Sequence, residues 1–483
     1  DQQGALGPGF AEREAAGLER AEHYLDQALE RYRKDADRTS ERTEKFNRRY
    51  EHVRARIAVV ERELIGGECG YWACIPSKTL LRPAEAKVGA DRAAGVAGAQ
   101  LDWPATREYR DYMIRNLDDQ AQVDGYIKEG AVVIKDEARI TGPGRIQAGD
   151  REITAEHIII ATGSDAVIPP LDGIDQITAW TNRETYTTST LPERAVIIGG
   201  SAVGVETATF LARFGVAITL IHCGERLLDR EGPRVGELAH QYLQEAGIDI
   251  RLATSAVQAR REGADSIIEL QTRDGDPAGE VAADVVIFGT GRTPRTEGLG
   301  FEHAGVTLGD HGEIQIDDHC RAGENTWAIG DVTGIMPFTH VAKYQGRIAA
   351  DAILGRPHPA TYDGIPRVVF TDPEIAGAGL TQEQATKQGI RTIATELDLA
   401  DAIARPWTYE QDPRGHLGLL ADADRKILIG AWAVGPMAGE WIHHASLAIR
   451  TQLPIDTLLD QVAQFPTYHE AYQVALEQLD LTP

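Results

Sequence analysis

The 483-residue sequence has few cysteines, no excess of basic charge and no long apolar run. Its four cysteines are too few for a disulfide-stabilised scaffold. It has 49 Lys and Arg against 74 Asp and Glu, a net charge of −25, which argues against a protein that follows a nucleic-acid backbone. No uncharged apolar run reaches the roughly 18 residues that a membrane span needs, and the start has no basic-then-apolar leader. We therefore expect a cytoplasmic protein without a membrane span.

The first 63 residues differ from the rest of the chain by their high density of charge. Within them, apolar and aromatic side chains recur at spacings of three and four, at Leu18, Ala21, Leu25, Ala28 and Tyr32. This spacing predicts an amphipathic helix. The nearly all-polar stretch that follows indicates a solvated helix, a linker or disorder.

Beyond this segment, short β-branched runs alternate with helix-forming stretches. The runs are residues 56–60, 131–134, 156–161, 195–198, 217–221 and 283–288. Several end in glycine-containing turns, which is typical of strands that feed helices in α/β sheets. After a proline-rich loop at 356–366, strand-like runs at 367–370 and 426–433 precede predicted helices at 440–451 and 468–481. The sequence therefore predicts an α/β fold followed by a C-terminal α+β domain.

A dinucleotide-binding turn follows the predicted strand at 195–198. It contains Gly199, Gly200 and Gly204, with Ser201 in place of the middle glycine of the usual fingerprint. The first glycine allows the tight turn and the last allows close packing of strand and helix, so that the helix N-terminus offers free N–H groups to a pyrophosphate. The strand before and the helix after supply the required context.

The residue that selects the coenzyme is expected about 20 residues further on, where an Asp or Glu would bind a ribose 2′-hydroxyl. This sequence has His222 there, with Arg226 nearby. The absence of a carboxylate favours NADPH over NADH, although His222 is equally compatible with a plain surface role.

Two cysteines, Cys69 and Cys74, lie five residues apart in a segment that ends in Ile75-Pro76-Ser77-Lys78. At this spacing they can approach closely enough for a disulfide, and a helix start would lower the pKa of one thiol. Two buried cysteines or half of a metal site are the alternatives, but no spaced Cys/His partner pair is evident.

The Cys-x4-Cys-Ile-Pro-Ser-Lys segment resembles the redox-active disulfide of the pyridine nucleotide-disulfide oxidoreductases, flavoproteins that include dihydrolipoamide dehydrogenase, glutathione reductase and mercuric reductase. Further motifs follow in the family order and, by resemblance, would bind the cofactors: Glu61, Thr162, Gly163, Gly291, Gly330, Asp331 and His340. The resemblance implies FAD and NADP (or NAD) as cofactors, a small-molecule electron acceptor and a homodimer.

The resemblance also assigns roles to catalytic residues. Cys69 would be the interchange thiol that meets the substrate, and Cys74 the thiol against the flavin. Lys78 and Glu206 would form the ion pair beside the flavin nitrogen that accepts hydride. Glu470 would act across the dimer interface.

Two Rossmann-like dinucleotide-binding domains and a C-terminal α+β dimerisation domain are the fold that the resemblance implies. Residues 1–165 and 290–355 would form the FAD-binding domain. Residues 166–289 would bind NAD(P), and residues 356–483 would form the dimerisation domain.

The sequence departs from the family pattern at two places. The N-terminal Gly-x-Gly-x-x-Gly turn that cradles the FAD pyrophosphate is missing, because the glycine-rich stretch at 7–9 has Glu12 at the third glycine site. Near the C-terminus, Phe465 occupies the position of the family's acid/base histidine and cannot carry a proton. His469 lies close by, and a helical surface position is expected for it.

These features favour an FAD-dependent NAD(P)H oxidoreductase with a redox disulfide and an acceptor such as a quinone or a small disulfide. One alternative is a dihydrolipoamide dehydrogenase-type dithiol oxidoreductase in which His469 or a water replaces the missing base. The other is a flavin-free nucleotide-binding or interaction module, which the missing cradle suggests.

Overall fold

The computed structural model describes residues 57–480. Val60–Gly125 and residues 133–480 belong to one compact unit. Residues 57–59 and Tyr126–Val132 belong to a second unit, in which the Val132 N–H donates to the Ile57 carbonyl. The helix predicted from the apolar spacing at 18–32, and the glycine-rich stretch at 7–9, lie outside the described residues.

A five-stranded parallel sheet carries the dinucleotide-binding turn. Its strands, in spatial order, are β11 (Asp249–Arg251), β10 (Ala217–Ile221), β9 (Arg194–Ile198), β15 (Val285–Phe288) and β8 (Ala179–Trp180). The central strands are buried on both faces, as parallel sheets are, and Val196 and Ile197 are fully inaccessible. Helices α6 (Ala202–Arg213) and α7 (Pro233–Glu245) contribute apolar side chains to the same core.

Smaller sheets surround this one. An antiparallel sheet of β12 (Thr254–Glu262), β13 (Asp265–Thr272) and β14 (Pro277–Ala283) packs on it. A second small sheet contains β17 (Arg321–Gly323), β18 (Thr326–Ala328) and β6 (Ile158–Ile160). Its parallel β18–β6 pair joins a segment that precedes the nucleotide sheet in the sequence to one that follows it. The other short strands are β1 (Ala58–Val60) with β2 (Val132–Ile134), β7 (Ser164–Ala166) with β16 (Arg292–Pro294), and β3 (Ala138–Gly142), β4 (Arg145–Ala148) and β5 (Arg151–Thr154).

The C-terminal part is an antiparallel sheet covered by helices. In spatial order its strands are β19 (Pro366–Val369), β20 (Glu374–Gly379), β23 (Ile427–Gly435), β22 (His416–Asp422) and β21 (Thr392–Asp398). The predicted helix at 440–451 is divided into α12 (Ala438–Trp441) and α13 (His443–Thr451), and the predicted helix at 468–481 is shorter, as α15 (Glu470–Glu477). Tyr472 and Ile455 are fully buried between helices and sheet.

The cysteine segment forms two consecutive helices, α1 (Gly67–Tyr71) and α2 (Cys74–Arg92). Leu80, Ala84 and Val88 recur every four residues along α2 and are buried, so one face of this long helix is fixed in the core. The remaining helices are α3 (Trp103–Met113), α4 (Gln120–Lys128), α5 (Asn182–Thr187), α8 (Thr339–Ile353), α9 (Gln382–Lys387), α10 (Leu399–Ala402), α11 (Arg405–Tyr409) and α14 (Ile455–Leu459). Among the helices of residues 57–480, none has both the length and the apolarity that crossing a membrane requires.

Candidate active site

Cys69 lies in α1, and Cys74 is the first residue of α2. Both are partly buried thiols, and the Cys74 sulfur lies 3.6 Å from the Thr339 hydroxyl oxygen. A hydrogen bond from Cys74 lowers the pKa of Cys69 to about 6, and Thr339 and the charges of Lys343 and Lys78 act in the same direction. The same hydrogen bond and burial raise the pKa of Cys74. The lowered pKa favours the thiolate form of Cys69, and the raised pKa favours the thiol form of Cys74.

Lys78 and Glu206 lie side by side, as the family resemblance implies. The Lys78 nitrogen is 2.7 Å from a Glu206 carboxylate oxygen and 4.7 Å from the centre of the Phe370 ring. The other carboxylate oxygen accepts the Phe370 N–H at 3.0 Å. Glu206 is 6% exposed, so its carboxylate is largely shielded from water. Lys78 lies one helical turn after Cys74 on α2.

The N-terminus of α8 lies against the cysteine pair. Its first residue is Thr339, and no side chain caps the helix, so the first N–H groups are open to a ligand. A helix N-terminus carries partial positive charge, which favours an anion at this position. The first turn of α8 also contains His340, whose ring nitrogen lies 2.9 Å from the Pro366 carbonyl oxygen.

The flavin-motif residues of the described part fit FAD. The Asp331 carboxylate accepts the Ser164 hydroxyl at 2.7 Å, and Gly330 before it has a φ of 78°. The Glu61 carboxylate follows β1 and accepts the Glu63 N–H at 2.8 Å. Two carboxylates suited to sugar hydroxyls and the uncapped helix beside the thiols are compatible with a ribityl chain and a flavin ring.

The glycines of the dinucleotide turn allow the backbone segments around it to pack closely. A Cβ on Gly199 would lie 2.4 Å from the Gly289 carbonyl oxygen, and one on Gly204 would lie 1.8 Å from the Gly199 carbonyl oxygen. Ser201 donates its hydroxyl to the Gly289 carbonyl at 2.8 Å and does not cap α6. The N–H groups at the start of α6 are therefore available to a phosphate.

The ring of His222 packs against the second glycine of this turn. The Gly200 N–H donates to its Nδ1 at 3.2 Å, so Nε2 carries the hydrogen and donates to the Asp229 carboxylate at 3.0 Å. Arg226 is paired with Glu383 at 3.0 Å. Asp229 thus places a carboxylate beside His222, and the spacing of the fingerprint gave no indication of it.

The two predicted turns at Gly163 and Gly291 lie at opposite ends of the paired strands β7 and β16. Gly163 has a φ of 73° and Gly291 a φ of 115°. The Gly163 carbonyl accepts the Arg295 N–H at 2.9 Å, and the Thr162 hydroxyl donates to the Arg295 carbonyl at 2.8 Å. The turns therefore join the chain where it enters and leaves the nucleotide sheet.

Glu470 begins α15, and its carboxylate accepts the Thr467 N–H at 3.2 Å. Phe465 is 74% exposed. Within residues 57–480, no hydrogen bond or ion pair joins Glu470 to either cysteine of the same chain. The ring of His469 packs against His444, with 5.4 Å between centres, and burial lowers the pKa of both histidines. His469, for which the sequence predicts a helical surface position, is therefore half-buried.

The sequence interpretation missed a polar network beside the thiols. Asn182 donates to the Trp72 carbonyl at 2.8 Å and to Glu68 at 3.1 Å. Arg183 donates to Glu68 at 2.7 Å and to Glu63 at 2.9 Å. These contacts join positions more than 100 residues apart, so no local pattern could have indicated them.

Together, the fold and the site define a nucleotide-dependent oxidoreductase with a pair of cysteines. The family comparison then gives a definite identity. Residues 44–346 match the family described as "Pyridine nucleotide-disulphide oxidoreductase", and residues 365–476 match its dimerisation domain. The chain therefore belongs to the pyridine nucleotide-disulphide oxidoreductases, a family of enzymes that use FAD and NAD(P)H.

Similar proteins cover nearly the whole family region. The chain is 33% identical to a mercuric reductase of Streptomyces lividans over 433 residues, 87% of this chain and 90% of that protein. It is 31% identical to a dihydrolipoyl dehydrogenase of Haloferax volcanii over 432 residues, again 87% and 90%. Among solved structures, the HOCl-induced flavoprotein disulfide reductase RclA from Escherichia coli superposes with a TM-score of 0.77 at 25% identity, covering 88% of this chain and 94% of that one.

Proposed function

We propose that the chain is an NAD(P)H-dependent flavoprotein reductase in which Cys69 and Cys74 pass electrons to a small acceptor that requires no proton from a protein histidine. The observation that carries this proposal is the pair of half-buried cysteines, which lies beside the uncapped N-terminus of α8 and one helical turn before the Lys78–Glu206 ion pair. FAD, when bound, supplies the chemistry that accepts a hydride and delivers electrons to sulfur.

The chain's own residues would bind and orient the reactants. The glycine turn at the start of α6 would hold the NAD(P)H pyrophosphate on free N–H groups. Glu61 and Asp331 would hold the sugar and ribityl hydroxyls of FAD. The fixed charge of Lys78, itself held by Glu206, would favour negative charge developing on a neighbouring ring.

Phe465 supports an acceptor of a particular chemical class. Oxidation of the two thiols to a disulfide releases two electrons and two protons. A disulfide acceptor needs a proton on its leaving thiolate, which a histidine would supply and Phe465 does not. A thiophilic metal ion takes electrons without protons, and a quinone takes its protons from water. We favour these two classes over a dithiol or disulfide substrate.

Relatives support the metal ion among these acceptors. Several similar proteins are named mercuric reductases, and one solved structure of RclA is a Cu(II) complex at 26% identity. Both sulfurs of the thiol pair are soft ligands that suit such ions.

The test measures flavin reduction and acceptor turnover in purified, FAD-reconstituted protein. We expect a yellow protein whose flavin absorption band is bleached by NADH or NADPH. The protein should turn over benzoquinone, Hg²⁺ or Cu²⁺. Cys69→Ser and Cys74→Ser should each abolish turnover of the metal ions. A protein that stays colourless with FAD would contradict the proposal and favour a flavin-free nucleotide-binding module.

A dihydrolipoamide dehydrogenase-type activity is the second candidate, and the half-buried His469–His444 pair favours it. If His469 is the base, His469→Gln should abolish dihydrolipoamide turnover. If Phe465 is what prevents this reaction, wild-type turnover should be near zero and Phe465→His should raise it by about 100-fold, the lower range for acid–base catalysis.

The dimerisation domain supports a homodimer in which Glu470 acts at the partner's thiol pair. Sedimentation of a monomer at micromolar concentration would contradict it.

We also propose the division into an FAD-binding domain (1–165 and 290–355), an NAD(P)-binding domain (166–289) and a dimerisation domain (356–483). The need for NAD(P)H supports a cytoplasmic location.

A further inference from the structure

The loop between the two cysteines is fastened to α5 by two adjacent residues. Asn182 is 6% exposed, and its side-chain amide donates to the Trp72 carbonyl at 2.8 Å and to the Glu68 carboxylate at 3.1 Å. One residue later, the Arg183 guanidinium lies 4.1 Å from the centre of the Trp72 ring and donates to Glu68 at 2.7 Å. Asn182 and Arg183 therefore contact both Glu68, the residue before Cys69, and Trp72, which lies shortly before Cys74.

The two halves of the thiol pair differ in how firmly the fold holds them. Cys74 begins a 19-residue helix whose inner face is buried. Cys69 lies in a helix of 5 residues that has no side-chain cap. A short helix without a cap has little stability of its own. The position of Cys69 therefore depends on contacts made by its neighbours, which are the buried Tyr71 ring and the polar contacts of Glu68.

The α5 side of these contacts is rigid. Thr181 and Glu184 form a complete capping box at the start of α5, directly around Asn182 and Arg183. Arg183 is further held by Glu63 at 2.9 Å, and its hydrogen bond lowers the pKa of that carboxylate. A guanidinium between two carboxylates and over an indole ring has little freedom to move.

We propose that Asn182 and Arg183 are positioning residues that keep Cys69 within reach of Cys74 and thereby set the stability of the disulfide relative to the dithiol. The inference rests on the proposed redox role of the two cysteines. It concerns distance and not charge, because the guanidinium is already matched by Glu63 and Glu68, whereas the cations that act on the Cys69 thiolate are Lys343 and Lys78.

The thiol–disulfide equilibrium with glutathione measures this effect directly. The Cys69 and Cys74 thiols give up two electrons and two protons and form one S–S bond. Glutathione disulfide breaks its S–S bond, takes the electrons and protons, and becomes two glutathione thiols. The equilibrium constant of this exchange reports the effective concentration of one protein thiol at the other.

The experiment uses the FAD-loaded full-length protein in glutathione buffers without NAD(P)H, with thiols trapped by alkylation and counted by mass spectrometry. We expect Asn182→Ala and Arg183→Gln each to lower the equilibrium constant about tenfold, which makes the potential about 30 mV less negative. Arg183→Lys should fall between these and the wild type, because lysine keeps the charge but not the fork of donors. The alkylation midpoint of Cys69 should move to higher pH in Asn182→Ala and Arg183→Gln alike, because a longer distance weakens the hydrogen bond from Cys74.

Arg194→Gln is the matched control, since Arg194 also bridges two carboxylates, Asp265 and Asp284, but in the nucleotide sheet. It should leave the glutathione equilibrium unchanged. If a variant at 182 or 183 does not fold, Glu68→Gln removes the shared partner from the other side and should give the same tenfold loss.

Wild-type equilibrium constants in folded Asn182→Ala, Arg183→Gln and Glu68→Gln would overturn the inference and leave the proposed function intact. A loss confined to Arg183→Gln, with Asn182→Ala at the wild-type value, would also overturn it, in favour of a charge effect. If the wild-type cysteines form no disulfide even in glutathione disulfide alone, the proposed function itself fails.

Discussion

Lys78 and Glu206 form an ion pair of 2.7 Å although they are 128 residues apart in the chain. Lys78 belongs to the helix that begins with Cys74, and Glu206 to the helix that begins at the dinucleotide turn. The pair therefore ties the thiol segment to the nucleotide sheet. Each of two separate sequence motifs, the cysteine segment and the dinucleotide turn, contributes one charged side chain to this pair.

Replacing Lys78 should destabilise the fold because it leaves a buried carboxylate without its cation. We expect Lys78→Met to lower the free energy of unfolding by about 2 kcal/mol, less than for a fully buried pair because the lysine side chain is 33% exposed. Lys87→Met on the same helix removes an exposed pair with Asp91 and should cost below about 0.5 kcal/mol. Urea unfolding midpoints measure both, and equal losses would contradict the argument.

The thiol pair predicts an unusual pH profile. Because the pKa of Cys69 is lowered to about 6, its thiolate persists as the pH falls from 9 towards 6 and is lost only below that range. In reduced Cys223→Ser protein, alkylation by iodoacetamide should therefore reach half its maximal rate near pH 6. The Cys223→Ser change removes the exposed cysteine, and burial raises the pKa of Cys320 to about 11, which keeps that thiol unreactive.

Cys74→Ala is the matched variant for this profile, because it removes the hydrogen bond that contributes most to the low pKa of Cys69. The midpoint should move to higher pH. Thr339→Val should move it in the same direction by a smaller amount. An unchanged midpoint in Cys74→Ala would show that the hydrogen bond between the thiols is not the cause.

Local patterns predicted those parts of the site that a single segment encodes. The strand, glycine turn and helix around Gly199 and Gly204 follow from spacing and conformational need, and the structure has them where the sequence predicts. The convergence of Lys78 with Glu206 was predicted by family resemblance alone. Side-chain geometry brings them together, whereas nothing in the spacing of either helix indicates a partner.

The residues that sequence reasoning missed act through long-range contacts. Arg183 contacts Glu68 across 115 positions, and Asn182 contacts Trp72 across 110. Asp229 reaches the dinucleotide turn only through the ring of His222. A polar side chain in a loop looks like a solvated residue in the sequence. Only the tertiary fold shows which of these side chains are half-buried and paired.

Glu374 should make the folded state less stable as the pH rises. Burial raises its pKa to about 7, with the neighbouring carboxylates of Glu85, Glu440 and Glu206 acting in the same direction. A raised pKa contributes stability that is complete below the ordinary value of a glutamate and is lost as the pH rises through about 7. Glu374→Gln keeps an oxygen for the Gly439 N–H and removes the titration.

The measurement is the urea midpoint of wild type and Glu374→Gln at pH 5 and pH 8. Relative to wild type, the free energy of unfolding of Glu374→Gln should rise by on the order of 2 kcal/mol from pH 5 to pH 8. Glu324→Gln, a change at an exposed carboxylate, should show no such gain. A constant difference between Glu374→Gln and wild type at both pH values would contradict a raised pKa.

Asp229 should make the enzyme prefer NADH, in contrast to the preference for NADPH that the bare sequence favours. The Gly200 N–H fixes His222 with its hydrogen on Nε2, and that hydrogen is donated to the Asp229 carboxylate, whose negative charge would repel a 2′-phosphate. Asp229→Asn should raise the NADPH to NADH ratio of kcat/KM about fivefold, a modest change because the carboxylate is half exposed. Asp265→Asn, in the same domain but paired with Arg194, should leave the ratio unchanged. A wild-type preference for NADPH that Asp229→Asn does not alter would show that this carboxylate does not face the ribose.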